Sequence, residues 1–230
     1  ARPDPRQEIS LAAHGTTEFK FDIRLTPKAR AVGKTAIPVF ATIDGKRMKL
    51  FDWAAQASRI VEWKIIGPFE NKNDDAFDKV FPPEKGIDFE AEYDGAAGQK
   101  VRWQTHRLGR NINHKFDNLN GIDFTKLYTP HSWVCAYALL YVDSPKEQKV
   151  HFLIGSDDEV KIWVNDELAW KNKVKRAPVP DEDDAVVTLK KGRNKVLVKI
   201  TQALWGWAVY FRVADDAGQA VPDLTYSTQP

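Results

Sequence analysis

Apolar and polar residues alternate with a period of two along most of this chain, which is the spacing typical of half-buried β-strands. From residue 62 onward such segments follow one another at short intervals, with Gly, Asn, Asp and Pro between them. We predict strands at 62–69, 87–93, 100–106, 133–143, 149–155, 159–165, 167–172, 185–190, 194–201 and 207–214. The pattern predicts an all-β fold, a β-sandwich of jelly-roll type.

The N-terminal part of the chain combines the same strand pattern with one helical signal. Residues 17–25 and 35–46 alternate like strands, with a turn expected between Pro27 and Gly33. Within 50–61 apolar residues recur instead at helical spacing, at Leu50, Trp53, Ala54, Ala57 and Val61. We therefore predict an N-terminal β segment at 1–50, a short helical connector at 51–61 and the jelly-roll sandwich at 62–230.

Turn and loop signals separate the strands. Asn165 and Asp166 lie between two predicted strands and tolerate a positive φ, so they predict a tight hairpin. Residues 190–194 predict another turn. Proline and charged residues fill 70–86, where we expect a long surface loop, and a second loop is expected at 107–120.

Alternate positions of the later strands differ in character, and successive side chains of a strand point to opposite faces. In the strand at 133–142 one face is aliphatic, with Val134, Ala136, Ala138, Leu140 and Val142. The strands at 150–154, 160–164 and 196–201 divide in the same way. If these strands are neighbours, their other positions form one mixed surface of Trp133, Tyr137, His151, Lys161, Trp163 and Lys199, with Tyr210 and Arg212 as further candidates.

A mixed surface of this kind has the chemistry that sugar recognition needs. The C–H faces of a pyranose stack on aromatic rings, while its hydroxyls bond to Lys, Arg and His. We predict Trp133, Tyr137 and Trp163 as stacking residues, Trp205 and Trp170 at the rim, and Arg212, Lys161 and His151 as hydrogen-bonding partners. The alternative is that these residues are good strand formers covered by the N-terminal strands or by a loop.

Trp205 is the most distinctive of these candidates. It lies in the short segment ALWGW at 203–207, between two predicted strands, where an indole is hard to bury. Trp207 begins the following strand, so we expect it in the core.

Composition narrows the possible classes of protein. The 230 residues suit one large domain, and 43% hydrophobic with 29% charged residues exclude intrinsic disorder. The net charge of +2, with both signs interspersed, is not typical of a nucleic-acid-binding protein. The sequence has no apolar run long enough for a membrane helix. A single cysteine, Cys135, excludes an internal disulfide and a multi-thiolate metal site.

No catalytic motif is present in the sequence. It contains no nucleophile elbow, zinc-protease motif, P-loop or dinucleotide fingerprint. The histidines are scattered singly, and the acidic residues near 78–92 are no denser than elsewhere. We therefore predict a protein that is not an enzyme, with no catalytic residue.

Two runs carry a resemblance to a known class of domain. LIGSDDEVKIWVNDELAWKN at 153–172, followed by the run at 186–213, resembles noncatalytic β-sandwich domains of bacterial carbohydrate-active enzymes. These include the galactose-binding-like jelly roll of β-galactosidase-like glycoside hydrolases and, more loosely, the protective-antigen-type lectin sandwich. The resemblance covers roughly residues 60–215. The first 50 residues look like the end of an immunoglobulin-like module.

The lectin branch of this resemblance implies a bound Ca²⁺. Two consecutive aspartates hold the ion there, and the matching residues here are Asp157 and Asp158. The glycine that usually follows them is replaced by Glu159, and Asn165-Asp166 replaces the expected Asn-Gly. Capping of a turn by the aspartate side chains is the alternative. No other cofactor is expected.

The function that the resemblance implies is that of a noncatalytic carbohydrate-binding module. It would recognise a polysaccharide or glycan and would be accessory to a larger polysaccharide-degrading protein, with neighbouring domains as partners. Such proteins are secreted, periplasmic or on the bacterial cell surface. Neither nucleic acid nor a membrane is expected as a partner. Two alternatives stay open, an interdomain β-sandwich without a free ligand and a small glycosidase or polysaccharide lyase.

Overall fold

A computed structural model describes residues 35–43, 46–55, 60, 62–108 and 121–230. Its strands in chain order are β1 Thr35–Ile43, β2 Lys46–Ala55, β3 Glu62–Glu70, β4 Glu92–Asp94, β5 Lys100–Arg102, β6 Gln104–Arg107, β7 Gly121–Asp123, β8 Val134–Ser144, β9 Gln148–Asp157, β10 Val160–Val164, β11 Glu167–Asn172, β12 Asp183–Leu189, β13 Gly192–Gln202, β14 Ala208–Ala214 and β15 Thr225–Ser227. Helix is confined, within these ranges, to the four-residue Pro82–Lys85 and to 3-10 turns at Ala96–Gly98 and Phe124–Lys126.

Two antiparallel sheets pack face to face. The first has the strand order β11-β10-β13-β8-β3-β6, with β15 also paired to β8, and the second has the order β12-β9-β14-β7. The chain passes repeatedly from one sheet to the other, because β8, β10 and β13 lie in the first sheet and β9, β12 and β14 in the second. The predicted all-β sandwich is confirmed.

The aliphatic rows predicted from the sequence form the core between the sheets. Every even-numbered residue from Val134 to Val142 is buried there, together with Val150, Phe152 and Ile154 of the second sheet. Trp207 is fully buried in the same core, as predicted, and packs against Phe124 with ring centroids 5.0 Å apart. Burial of this size supplies the main driving force for folding.

A second buried cluster lies on the outer side of the first sheet. It joins Cys135, Tyr137, Leu139 and Tyr141 of β8 to Phe69, Phe81 and Trp103. Apart from Glu70, which ends β3, residues 70–86 contain no strand, as predicted, but they are more than a surface loop because Ala76, Phe77 and Phe81 are buried against the sheet. The loop therefore covers the face that the sequence predicted to be partly open.

The predicted helical connector is wrong for residues 51–55. They belong to β2, which pairs antiparallel with β1 from Thr35↔Ala55 to Ile43↔Lys46. Phe51, Trp53 and Ala55 also have a period of two, and β1 lies only a few residues away as a pairing partner. The predicted strand at 17–25 and its turn lie outside the described residues, as do most of the predicted loop at 107–120 and most of 56–61.

Two details of the strand predictions need correction. In the segment predicted at 87–93 only residues 92 and 93 are in a strand, because the Asp88 side chain accepts hydrogen bonds from the backbone N–H groups of Glu90 and Ala91 and forms a turn. The short strands β7 and β15 were not predicted. Three residues give too little alternation to recognise a strand.

The predicted hairpin at 164–167 is confirmed, with φ of 53° at Asn165 and 70° at Asp166. The Asn165 side chain donates to Oδ1 of Asn194 at 2.9 Å and accepts from the backbone N–H of Lys195 at 3.0 Å. These bonds join the hairpin to the predicted turn at 190–194. No helix of the described residues is long and apolar enough to cross a membrane.

Candidate functional site

The residues predicted to form one mixed surface lie on two opposite sides of the sandwich. Tyr137, Lys161 and Trp163 are on the outer side of the first sheet, whereas His151 and Arg212 belong to strands of the second sheet. The prediction of a single surface is therefore wrong. Alternation along a strand identifies its two faces, but it does not tell which sheet the strand joins.

Tyr137 is fully buried, so its expected position on an open face is wrong. Its hydroxyl donates a short hydrogen bond to Oε1 of Glu84, which also accepts from Lys199 Nζ at 2.9 Å. Lys199 donates to the backbone carbonyl of Lys79 as well, at 2.6 Å. Burial raises the pKa of Tyr137 and lowers that of Lys199. This network fastens the loop at 70–86 to the sheet.

Lys161 and Trp163 both pack on the outer side of the first sheet, which the loop at 70–86 covers. The Lys161 ammonium lies 4.3 Å from the centroid of the Phe77 ring and 3.5 Å from Oδ1 of Asp78. Trp163 is half-buried against the second cluster. Both side chains therefore contribute mainly to packing of the loop.

His151 and Arg212 are held by carboxylates on the second sheet. Nδ1 of His151 lies 2.7 Å from Asp184, and its Nε2 lies 3.1 Å from Asp216. Arg212 makes a bidentate pair with Asp181, at 2.8 and 2.6 Å. The hydrogen bonds to Asp184 and then to Asp216 raise the pKa of His151 above its ordinary 6.5.

Trp170 does not lie at the rim. It is opposite Ile162 in the β10–β11 pair and packs, half-buried, against the core between the sheets. Its indole N–H is buried without a hydrogen-bond partner among the described residues. Its predicted role as an open rim residue is wrong.

Trp133, Leu204 and Trp205 are exposed at one end of the sandwich, and we call these three residues the aromatic rim. Trp205 is 86% exposed and Trp133 is 39% exposed. Trp133 immediately precedes β8, and residues 203–207 connect β13 to β14. The rim therefore brings together two of the predicted site residues, from segments that are 70 positions apart in the sequence.

Backbone hydrogen bonds fix the two segments of the rim to each other. The N–H of Trp133 donates to the carbonyl of Ala203 at 2.8 Å, and the carbonyl of Trp133 accepts from Asn71 at 2.8 Å. Both aromatic rim residues have a left-handed backbone, with φ of 55° at Trp133 and 72° at Trp205. Such conformations are rare for bulky residues and are concentrated at functional sites.

Polar groups flank the aromatic rim. The Lys175 ammonium lies 5.8 Å from the centroid of the Trp133 ring and forms an ion pair with Asp74. Asp157 and Asp158 are at the same end, where β9 leaves the sandwich. Lys175, Leu204 and Gly206 were not predicted as site residues, although the segment ALWGW already singled out this turn.

The aspartate pair can be tested against the calcium site implied by the lectin resemblance. Asp158 accepts hydrogen bonds on both carboxylate oxygens, from the backbone N–H of Arg176 at 3.1 Å and of Ala203 at 3.0 Å. Calcium takes six to eight oxygen ligands. The part of the chain that is described contains no group of three or more His, Cys, Asp or Glu side chains that could hold a metal ion. Asp158 therefore caps the backbone at Arg176 and Ala203, which is the alternative to a metal-binding role.

No family model and no curated protein matches this chain. Among solved structures, a GH31 alpha-xylosidase from Xanthomonas citri is similar, with 13% sequence identity and a TM-score of 0.32. The similarity covers 85% of this chain but only 26% of the xylosidase chain, so this chain corresponds to a small part of that protein's length.

Proposed function

We propose that the aromatic rim binds a glycan and that the domain is a noncatalytic carbohydrate-binding module. The observation that carries this proposal is the exposure of Trp205 in a short turn, with Trp133 beside it on a neighbouring segment. An exposed indole contributes little to folding. Two exposed indoles held in left-handed backbone conformations are costly to the fold, and binding of a ligand explains why they are kept.

Several properties of the rim favour a sugar over a protein partner or a membrane. Its apolar part is only three side chains wide, whereas a stable protein interface buries about 800 Å² on each partner. Polar groups flank the rim, because the Lys175 ammonium lies over the Trp133 ring and Oδ2 of Asp157 abuts Gly206, the residue after Trp205. A flat apolar plane beside hydrogen-bonding groups matches the alternating faces and hydroxyls of a pyranose.

The sequence resemblance at 153–172 and 186–213 supports a proposal for the wider setting. We place the domain as an accessory module of a larger, secreted or cell-surface polysaccharide-degrading protein of a bacterium, where it would hold the catalytic machinery near its substrate. An isolated site with few desolvated groups binds a short sugar weakly, with a dissociation constant of about 0.1 to 1 mM.

A glycan array followed by titration of tryptophan fluorescence tests the proposal. We expect at least one polysaccharide to bind and to change the fluorescence, and Trp205→Ala to weaken that binding about tenfold or more, equivalent to about 1.4 kcal/mol. Leu168→Ala is a matched control, because Leu168 is an exposed apolar residue beside the hairpin at the opposite end of the sandwich.

Two other outcomes would overturn the proposal. If the folded protein binds no polysaccharide, the interdomain spacer is the better account. If it releases reducing ends or unsaturated sugars from a polysaccharide panel, and Asp or Glu substitutions abolish that release, the domain is a glycosidase or lyase.

A further inference from the structure

A cavity of 380 Å³ lies at the edge of the first sheet, and we call it the β5 cavity. The β3–β6 ladder ends at the pair Ile65↔Gln104, while β3 continues beyond it. Gly67 of β3, residues 99–102 in and beside β5, Gln104, and residues 127–129 form its lining. Its volume falls within the range of about 300–1,000 Å³ that is typical of pockets for small molecules.

Tyr128 lines the β5 cavity and carries an unpartnered polar group. It is 6% exposed, and its hydroxyl oxygen is buried without a hydrogen-bond partner among the described residues. Its ring packs against Trp207 and stacks on Phe124, with centroids 5.8 and 6.1 Å apart. Burial raises the pKa of Tyr128, so the hydroxyl is a protonated donor at neutral pH. A buried hydroxyl without a partner is costly, and a ligand that accepts its hydrogen bond would offset this cost.

The charged side chains that line the β5 cavity are both cations. They are Lys100 and Arg102, and no carboxylate of the described residues lines it. The two residues are two positions apart on β5, so their side chains leave the same face of the strand. Lys100 forms an ion pair with Asp94, and Arg102 forms one with Glu92. Because an ammonium has three N–H donors and a guanidinium has five, both cations keep donors for a further acceptor.

Amide and hydroxyl groups complete the lining. Nε2 of Gln99 donates to the backbone carbonyl of Thr129 at 3.0 Å, and this bond joins two sides of the β5 cavity. Gln104 lies between them at the start of β6. Amides and hydroxyls both donate and accept, so they suit the hydroxyl groups of a ligand, whereas ammonium and guanidinium groups suit a carboxylate. The lining therefore matches a small molecule that combines a carboxylate with several hydroxyls.

We infer that the β5 cavity binds a polyhydroxy acid of the size of one uronic acid residue, with Lys100 and Arg102 at its carboxylate and Tyr128 as a donor to one of its oxygens. This site lies on segments other than those of the aromatic rim, so the inference does not depend on the proposed function. Two sources carry the same chemistry, a free sugar acid and the end of an acidic polysaccharide chain.

Calorimetry at constant ionic strength tests the inference with four probes. D-galacturonate is compared with D-galactose, its neutral counterpart, with sulfate, an anion without hydroxyls, and with polygalacturonate. The variants are Tyr128→Phe and Arg102→Met. Arg193→Met is the matched control, because Arg193 pairs with Asp143 and does not line the β5 cavity. Trp205→Ala shows whether the aromatic rim takes part.

We expect galacturonate to bind with a dissociation constant of about 1 mM, and galactose and sulfate to bind at least about tenfold more weakly. Arg102→Met should weaken galacturonate binding about tenfold and Tyr128→Phe about fivefold, because each removes a donor to the ligand. Arg193→Met and Trp205→Ala should bind it like the wild type. Tyr128→Phe should unfold at the same or a higher denaturant concentration than the wild type, since the hydroxyl that it removes has no partner in the fold.

Contrary outcomes separate this inference from the proposed function. If galactose or sulfate binds as tightly as galacturonate, the class of ligand is wrong. If Trp205→Ala abolishes galacturonate binding while Tyr128→Phe and Arg102→Met bind like the wild type, the acid is bound at the aromatic rim, and only the proposed function stands. Absence of galacturonate binding to the folded wild type also refutes the inference. Binding of polygalacturonate as well supports the site and assigns it to chain ends, whereas binding of the monosaccharide alone supports it for the free acid.

Discussion

Oδ2 of Asp157 occupies the space that a side chain at Gly206 would need. Gly206→Ala should therefore displace either the carboxyl or the turn at 203–207, and we expect it to lower the free energy of unfolding by about 1 kcal/mol or more. The two positions should not act independently. In the Asp157→Ala background, Gly206→Ala should lower the free energy of unfolding much less, because the carboxyl oxygen that would collide with the new side chain is gone.

Urea unfolding of the four proteins in this cycle measures the coupling. Gly206→Ala could instead lower the free energy of unfolding by the same amount whether or not Asp157 is replaced. The turn would then need glycine for a reason other than this contact.

The backbone of Trp205 gives a second prediction. Its φ of 72° lies in the left-handed region, which costs an L-residue with a side chain about 1 to 2 kcal/mol relative to glycine. Because the indole is almost fully exposed, little packing is lost on its removal. Trp205→Gly should therefore raise the free energy of unfolding by about 1 kcal/mol while it removes glycan binding. Trp207→Gly, at the buried position two residues later, should instead strongly destabilise the protein.

The buried pair of Lys199 and Glu84 should matter for stability rather than for binding. Lys199 is 1% exposed, and its replacement by Met would leave the Glu84 carboxylate buried with one partner fewer. We expect Lys199→Met to cost about 3 kcal/mol or more. The added substitution Glu84→Gln should cost less in that background than in the wild type.

Chemical unfolding measures these costs, with Lys100→Met as the control because Lys100 pairs with Asp94 on the surface. Equal costs for Lys199→Met and Lys100→Met would contradict the account of a buried network that holds the loop at 70–86.

The contacts of His151 predict a pH dependence of stability. Its pKa is raised in the folded protein, so the stabilisation is complete below the ordinary value of 6.5 and is lost as the pH rises through the folded value. The wild type should therefore exceed His151→Gln in unfolding free energy at pH 6, and this difference should shrink by pH 9.

An NMR titration of the His151 ring checks the cause directly. The midpoint should lie above 6.5 in the wild type and fall when Asp184 is replaced by Asn. A midpoint that Asp184→Asn leaves unchanged would show that the contact with Asp184 does not set the titration.

Much of the fold could be predicted from the sequence because strand alternation and turn residues are local signals. The core row of β8, the hairpin at Asn165-Asp166 and the burial of Trp207 were all predicted on that basis. The distribution of strands between the sheets was not predictable in this way. β8 and β9 follow each other in the chain, yet they join different sheets, and this separates Tyr137 from His151.

The covering of the first sheet was missed for a different reason. Proline and charge correctly excluded a strand from residues 71–86, but Phe77 and Phe81 in the same segment indicated that it packs against another part of the protein. At the candidate site, the prediction that Trp205 is exposed needed only the shortness of its turn. Its proximity to Trp133 and Asp157 depends on long-range pairing, which the local pattern does not contain.

The most direct test of glycan recognition at the aromatic rim is an NMR titration of the tryptophan indole N–H signals with the polysaccharide that binds best. The signals of Trp205 and Trp133 should shift in proportion to the bound fraction, while those of the buried Trp63 and Trp207 stay in place. If Trp205 and Trp133 keep their positions when the protein is saturated with ligand, the glycan is bound elsewhere and the central claim is wrong.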